Sequence, residues 1–309
     1  MQISIIISTS NRGEIFTKTL TACIEAVSNL NAEIIVVHDR TYNSFQVLAQ
    51  TAVPVAVLRS PRPGVAAKRN LGAANARGTL LLFLDDDILT SDAVIGHMIK
   101  LHESAQDICV NPNWVYPANL MRDLPSSAFG RFLLAYNFVG FKGWYGDPSW
   151  KDNALFQSKS IASFHLSISR ENFLKSGGYN ENFAEAGFED YDYPKRLKEA
   201  DLRFFIDSSV CVFHNEEDRT TIRPWLVRQQ RGAFTRREAV TLGYTEMSIH
   251  YGVLKKATFR FIAILQPLLL LGLSAISKYK GLDRISFQIV LLLQAHHIYK
   301  GYSHPVKRS

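Results

Sequence analysis

Cysteine is scarce: Cys23, Cys109 and Cys211 are the only three in 309 residues, widely separated and flanked by apolar neighbours. That excludes a disulfide scaffold and any paired thiolate zinc site, and predicts reduced core thiols in a cytoplasmic protein. The chain has no glycine-rich loop closed by lysine, the usual cradle for a nucleoside triphosphate. It has no internal repeat and no low-complexity tract. The first residues run straight into an apolar strand pattern, without a basic lead or a small-residue cleavage site, so no signal peptide is expected and the working site should face the cytoplasm. Acid is in deficit, 28 Asp and Glu against 35 Lys and Arg, a formal charge of +7. The cations do not form one tract with interleaved stacking aromatics, which argues against nucleic acid as a partner.

Apolar and polar stretches alternate with a clear rhythm. Strands are expected at about residues 3 to 8, 33 to 38, 53 to 58 and 80 to 84, separated by helices at 14 to 29, 43 to 50 and 65 to 76. This is the pattern of a parallel sheet with helices on both faces. The last of these strands, Leu80-Leu81-Leu82-Phe83-Leu84, ends in Asp85-Asp86-Asp87. A buried strand delivers its final side chains to the carboxyl edge of the sheet, where open α/β folds bind ligands. Alternation along the strand would put Asp85 and Asp87 on one side, within reach of a single hard divalent cation and the phosphates it bridges. The bland alternative is a solvated acidic turn leading into a helix near Ser91.

The preceding segment, Arg62-Pro63-Gly64 through Lys68-Arg69-Asn70-Leu71-Gly72 to Gly78-Thr79, is an alanine-rich helix between glycines. Further on, residues 163 to 169 alternate like a half-buried strand, a short helix follows to Lys175, and Gly177-Gly178 stops it. Glu185, Glu189, Asp190 and Asp192 come next and open another helix, where Pro194 is tolerable only near the first turn.

These segments, in this order, resemble family 2 glycosyltransferases. The resemblance rests on Ile3-Ser4-Ile5-Ile6-Ile7-Ser8-Thr9-Ser10-Asn11-Arg12, on Glu33 to Asp39, on the Arg69-Asn70-Leu71-Gly72 helix leading into the Asp85-Asp86-Asp87 strand end, and on Gly177-Gly178-Tyr179-Asn180-Glu181 followed by Glu189-Asp190. It covers roughly residues 1 to 235. It implies an α/β GT-A fold, a mostly parallel central sheet with helices on both faces, and inverting transfer from a nucleotide-diphosphate sugar to a glycan or lipid-linked acceptor. By the same resemblance Asp190 is the general base, with Glu189 beside it and Glu185 or Asp192 as weaker substitutes. Thr9, Asn11, Arg12, Asp39, Arg69, Asp85 and Asp86 are donor-site residues. Asp85, Asp87 and His214, the last at the end of a closing strand, would hold Mn²⁺ or Mg²⁺. One position departs from the family: His38 stands where a first acidic residue is usual, so the nucleotide cannot be transferred. A nucleotidyltransferase, or a silent scaffold of the same fold, are the competing readings.

Residues 1 to 250 are expected to form the transferase domain, divided near residue 110 into donor and acceptor halves, with residues 251 to 309 as a hydrophobic, basic appendage. There Lys255, Lys256 and Arg260 lead into the apolar run 261 to 276, which is interrupted by Gln266-Pro267. A polar stretch at 277 to 284 must turn in water before a second apolar run at 285 to 293, and the chain ends in Lys307-Arg308-Ser309. The first run falls short of the roughly 20 residues of a spanning helix. Interfacial or shallow re-entrant insertion at an anionic membrane surface is therefore expected, at the cytoplasmic face, with two spanning helices, or a soluble helical appendage or oligomer contact, as the alternatives. The aromatics between residues 111 and 160, among them Trp114, Trp144 and Trp150, could stack on a sugar or lipid carrier or simply pack.

Overall fold

The structure is a computed structural model that describes residues 2–10, 12–39, 51–183 and 185–303. The helix expected at 43 to 50 lies outside them, as do Asn11, Lys307 and Arg308. The chain divides into two compact units: Met1–Tyr116 with Gly140–Ala184 and Glu189–Asn215, and Pro117–Val139 with Glu185–Phe188 and Glu216–Ser309.

The first unit is built on one nine-stranded sheet. β1 (Ile3–Thr9), β2 (Ala32–His38), β3 (Val55–Arg59) and β4 (Leu80–Asp85) are parallel, in the order β3-β2-β1-β4. The crossovers are α1 (Glu14–Val27) and α2 (Val65–Asn75). β1 and β4 are almost wholly buried because helices cover both faces, and each large apolar side chain they remove from water contributes about 1.5–3 kcal/mol. Gly72 on α2 lets that helix lie close on β1, where a Cβ would collide with Ile6.

β4 takes in Asp85, the first of the acidic triplet, and stops there. The chain turns at Asp86-Asp87 and re-enters the sheet as the two-residue β5 (Ile88–Leu89), before α3 (Asp92–Ser104) starts on a Ser91 cap that accepts from the Val94 amide. Next come β6 (Ile108–Val115), α4 (Ala118–Asp123), α5 (Ala128–Ala135), α6 (Phe141–Tyr145), β7 (Leu155–Ser158), β8 (His165–Ser169), α7 (Arg170–Lys175), α8 (Glu189–Glu199) and β9 (Arg203–His214). The sheet continues β4-β8-β6-β9-β5, with β7 also on β9. β8 is antiparallel to both β4 and β6. It was expected to be half-buried; set between two strands and covered on both sides, it is buried almost throughout. β9 ends against β5, which places His214 opposite Ile88.

The second unit is helical, with α9 (Ile222–Thr241), α10 (Val253–Ile276) and α11 (Asp283–Ser303) as its long members. α11 lies closely on α9: Gly301 lets it approach the Gln230 carbonyl, and Val290 and Leu293 are fully buried. Phe132 meets Trp225 and Phe287 edge-on at 5.7 Å each. Arg131 grips Asp283 through Nε and Nη2, at 2.8 and 2.6 Å. The polar stretch after α10 does turn, through a short 3₁₀ segment at Lys280–Leu282.

α10 is longer than the apolar run alone suggested. It begins at Val253 and spans 24 residues, long and apolar enough by length and composition to cross a membrane, with only 11% of its most apolar stretch buried. Cys23 and Cys109 are buried as expected, but Cys211 is exposed. The tail of β9 alternates inward and outward, and Cys211 falls on the outward side between buried Val212 and half-buried Val210.

Candidate active site

The site is assembled at the carboxyl edge of β1, β2 and β4, entirely within the sheet unit. Asp85 is the last residue of β4, while Asp86 and Asp87 occupy the turn beyond it, so strand alternation no longer governs their directions. Asp85 pairs with Arg69, whereas Asp86 and Asp87 share Arg12. Asp85 accepts from Arg69 Nη2 at 2.8 Å. Asp86 accepts from the Thr9 hydroxyl at 2.7 Å and from Arg12 Nη1 at 3.2 Å. Asp87 is 2% exposed, forms a close ion pair with the same Arg12 nitrogen, and lies 3.2 Å from His214 Nε2. Burial, followed by the neighbouring Asp87 charge, raises the Asp86 carboxyl to about 6.

Lys68 and Arg69 open α2 and point to different partners. Lys68 is 3% exposed, and its ammonium donates to the Thr9 carbonyl at 2.9 Å, the Ser10 hydroxyl at 2.5 Å and Asp39 at 3.1 Å. It thus ties the end of β1 to the end of β2 and fixes Asp39. Burial works against charge on both members: it holds the Lys68 ammonium below its ordinary value, whereas for Asp39 burial is offset by the Lys68 charge together with the hydrogen bonds from Lys68 and Ser10, and the carboxyl is lowered. The sequence reading passed over Lys68, since a lysine on a helix usually lies in solvent.

Arg69 is buried and spans the two sides of the site. Besides Asp85 it reaches Glu189 at 3.3 Å and Asp190 at 3.8 Å, with its guanidinium 5.0 Å from the Tyr179 ring centre. Its donors are therefore engaged within the protein, joining the donor-side strand to the start of α8. Asn70, next in the chain, donates to the Tyr179 carbonyl at 2.8 Å and accepts from the Tyr179 amide at 2.8 Å. That holds the Gly177-Gly178 loop, where both glycines have positive φ, and Arg196 clamps it from the other side through the Gly178 carbonyl at 2.6 Å.

On α8, Glu189 and Asp192 are 2% and 1% exposed, whereas the Asp190 side chain keeps 41% of its surface open. Desolvation raises the Asp190 carboxyl, Arg69 lowers it and Asp85 raises it again, for a net rise above 3.8. Pro194 sits inside α8 and withholds the amide that would bond the Asp190 carbonyl. Tyr193 is fully buried and stacks on Tyr179 at 4.0 Å, so the helix start is firmly placed.

Of the expected site residues, Thr9, Arg12, Asp39, Arg69, Asp85, Asp86, Asp87, Glu189, Asp190 and His214 all lie on this unit, and Asn11 is outside the described residues. Trp114 meets His214 edge-on at 4.8 Å, which orients the imidazole. Most of the other aromatics of that region pack on one another: Phe141, Tyr145 and Trp150 form one cluster. Glu216, two residues beyond His214, is a further carboxylate that went unremarked in the sequence; Arg219 and Arg228 hold it at 2.7 and 2.5 Å.

Among the described residues, the ion pairs of Asp39, Asp85, Asp86, Asp87, Glu189 and Asp190 with arginine and lysine run to Arg12, Lys68 and Arg69, so the carboxylates outnumber these cations. The excess of negative charge suits a divalent cation. Asp87 with His214 offers one hard oxygen and one imidazole nitrogen, a donor set that Mn²⁺ accepts well.

The profile described as glycosyl transferase family 2 matches residues 4–177, from β1 through the glycine loop. The chain belongs to that family. It is 24% identical over 190 residues to YfnE, an uncharacterised glycosyltransferase of Bacillus subtilis, covering 50% of this chain and 48% of the relative. An uncharacterised glycosyltransferase of Haemophilus influenzae is 28% identical over 229 residues, 69% of each chain. The match thus spans about half the length of the first relative. Among solved structures, the mannosyltransferase PcManGT of Pyrobaculum calidifontis, in complex with GDP-Man and Mn²⁺, superposes with a TM-score of 0.58 at 14% identity, over 99% of this chain and 88% of the other. The fold is accordingly GT-A: a mixed, mostly parallel sheet flanked by helices, followed by an apolar C-terminal helix.

Proposed function

We propose that this family 2 member is a metal-dependent, inverting glycosyltransferase that moves a sugar from a nucleoside diphosphate donor to a hydroxyl of a glycan or lipid-linked acceptor. The observation that carries the reading is the Arg69 bridge. One buried guanidinium holds Asp85, at the strand end where a diphosphate donor belongs, and Asp190, a half-open carboxylate at a helix start.

The roles follow from exposure and partners. Asp190 has open surface and a raised affinity for protons, so it accepts the proton of the attacking hydroxyl; Glu189 is enclosed against Arg69 and holds the guanidinium in place. Asp87 and His214 would hold the divalent cation, and Asp85 would serve the donor beside it. When bound, that cation neutralises the charge gathering on the departing diphosphate. Arg12, now paired with Asp86 and Asp87, stands where it can follow that charge. Thr9, Asp39 and Lys68 form the floor for the nucleoside. With one base and no second carboxylate proposed as nucleophile, displacement occurs in one step and inverts the anomeric centre.

The helical unit supports action at the cytoplasmic face of a membrane. Leu254, Phe261, Ile264, Leu268 and Leu271 form an exposed apolar stripe along α10 at three- and four-residue spacing, while Lys255, Lys256 and Arg260 sit near its start. Its partner α11 carries His296, His297 and Lys300, which favours lying in the interface over crossing.

The test is a panel of nucleotide sugars incubated with the full chain and Mn²⁺ or Mg²⁺, scoring nucleoside diphosphate. Release that needs the cation and one donor supports the reading. Pyrophosphate release from nucleoside triphosphates would point to a nucleotidyltransferase, and no turnover of any donor would point to a scaffold.

A further inference from the structure

The helical unit contains a cavity of about 740 Å³ between α9, α10 and α11 that has no part in the donor site. Its walls combine two chemistries. Arg223, Arg260 and Lys300 contribute three exposed cations, and no acidic residue lines it. Among the described residues, none of these three pairs with a carboxylate. Leu226, Phe259, Ala263, Pro267 and Leu270 make the remainder apolar.

His297 is the second, independent sign of a ligand. It lines the cavity, is 7% exposed, and neither ring nitrogen has a hydrogen-bond partner. Enclosing an imidazole to that degree without a partner is unfavourable, and a ligand acceptor or donor would relieve it. Burial, then the His296 and Lys300 charges, lower its affinity for protons to about 4, so at neutral pH it offers one N–H and one lone pair.

Position along α10 says what reaches this cavity. Arg260, Ala263, Pro267 and Leu270 line it, and each precedes by one residue a member of the exposed stripe Phe261, Ile264, Leu268 and Leu271. One residue of helix is about 100° of rotation, so the cavity wall lies directly beside the apolar face. A molecule with an apolar tail along that face and an anionic head among the cations matches both surfaces.

We infer that this cavity binds a phosphate-headed lipid, with the headgroup among Arg223, Arg260, Lys300 and His297 and the first methylenes against Leu226, Phe259 and Leu270. It deepens the membrane reading above and rests on it. Bound lipid would seat the helical unit at one depth on the bilayer, which delocalised attraction between cations and an anionic surface cannot do.

The experiment titrates the full chain, by calorimetry, with monomeric dihexanoyl phosphatidic acid, with dihexanoyl phosphatidylcholine and with inorganic phosphate. Saturable binding of the phosphatidic acid, at least about tenfold tighter than either control, is expected, because both head and tail contribute. Arg260→Ala with Lys300→Ala should weaken it about 25-fold, each cation near an anionic group being worth roughly fivefold. Ala263→Phe, which fills the cavity and changes no charge, should weaken it as strongly; circular dichroism and the melting temperature verify that each variant is folded. Equal binding of phosphatidylcholine, equal binding of inorganic phosphate, or undiminished binding by both variants would each overturn the proposal. Sedimentation with anionic vesicles separates it from the broader reading. Ile264→Ser with Leu268→Ser should lose vesicles while keeping the short-chain lipid. Wild-type protein that sediments with vesicles but ignores the short-chain lipid leaves the membrane reading standing and removes the pocket.

Discussion

Arg69 and Asp85 meet at 2.8 Å, and the same guanidinium reaches Glu189 at 3.3 Å, so one buried cation joins the end of β4 to the start of α8. Removing it takes a charged partner from the buried Glu189 and cuts the link to Asp85. Arg69→Ala should cost about 3–5 kcal/mol of stability, measured by urea unfolding. Arg69→Lys should recover only part, because an ammonium cannot fork between Asp85 and Glu189. A Lys variant as stable as the wild type would deny the bridge its structural weight.

Asp190→Asn should leave donor affinity unchanged while lowering transfer by about two to four orders of magnitude, the scale for losing a positioned general base. The base must be ionised to work. Because its carboxyl is raised above 3.8, the acidic fall of kcat/KM should lie at higher pH than that value, with activity lost as pH drops through it. Transfer at the wild-type rate in this variant would move the base to Glu185, Glu189 or Asp192.

Glu33 gives a stability test remote from the chemistry. It accepts from Ser4 at 2.6 Å and from the Arg77 amide at 2.7 Å; burial alone would raise its carboxyl, but these bonds and the Arg77 charge lower it below 4.5. A lowered carboxyl stabilises above the unfolded value, and that contribution disappears as pH falls through the folded one. Glu33→Gln should cost about 1–3 kcal/mol at neutral pH. It should also lose less stability than wild type on acidification below pH 4.5, followed by urea midpoints at successive pH values.

The parallel strands β1 to β4 and their two described crossover helices were legible because hydrophobic period and glycine punctuation are local. The direction of each site side chain was not. Asp86 and Asp87 sit in a turn that exists because β5 pairs with the far end of β9, a contact that no window around residue 87 contains. Lys68 is buried because the ends of β1 and β2 converge on its ammonium, which its alanine-rich neighbourhood does not announce. Arg69 is expected as a donor-site residue by resemblance, but its engagement depends on α8, 120 residues away in the chain. Cys211 looked like a core residue by its neighbours, and only the facing of β9 decides otherwise.

The proposed chemistry requires Asp87, with His214, to hold the cation through which a donor diphosphate binds. Calorimetry of wild type and Asp87→Ala with nucleoside diphosphate, in Mn²⁺ and then in chelator, tests it most directly. Wild type should bind tightly only with the cation, and the variant should bind weakly and alike in both conditions, because losing one carboxylate from a site with few protein ligands weakens both cation and diphosphate. Unchanged affinity and unchanged Mn²⁺ dependence in Asp87→Ala would contradict the account.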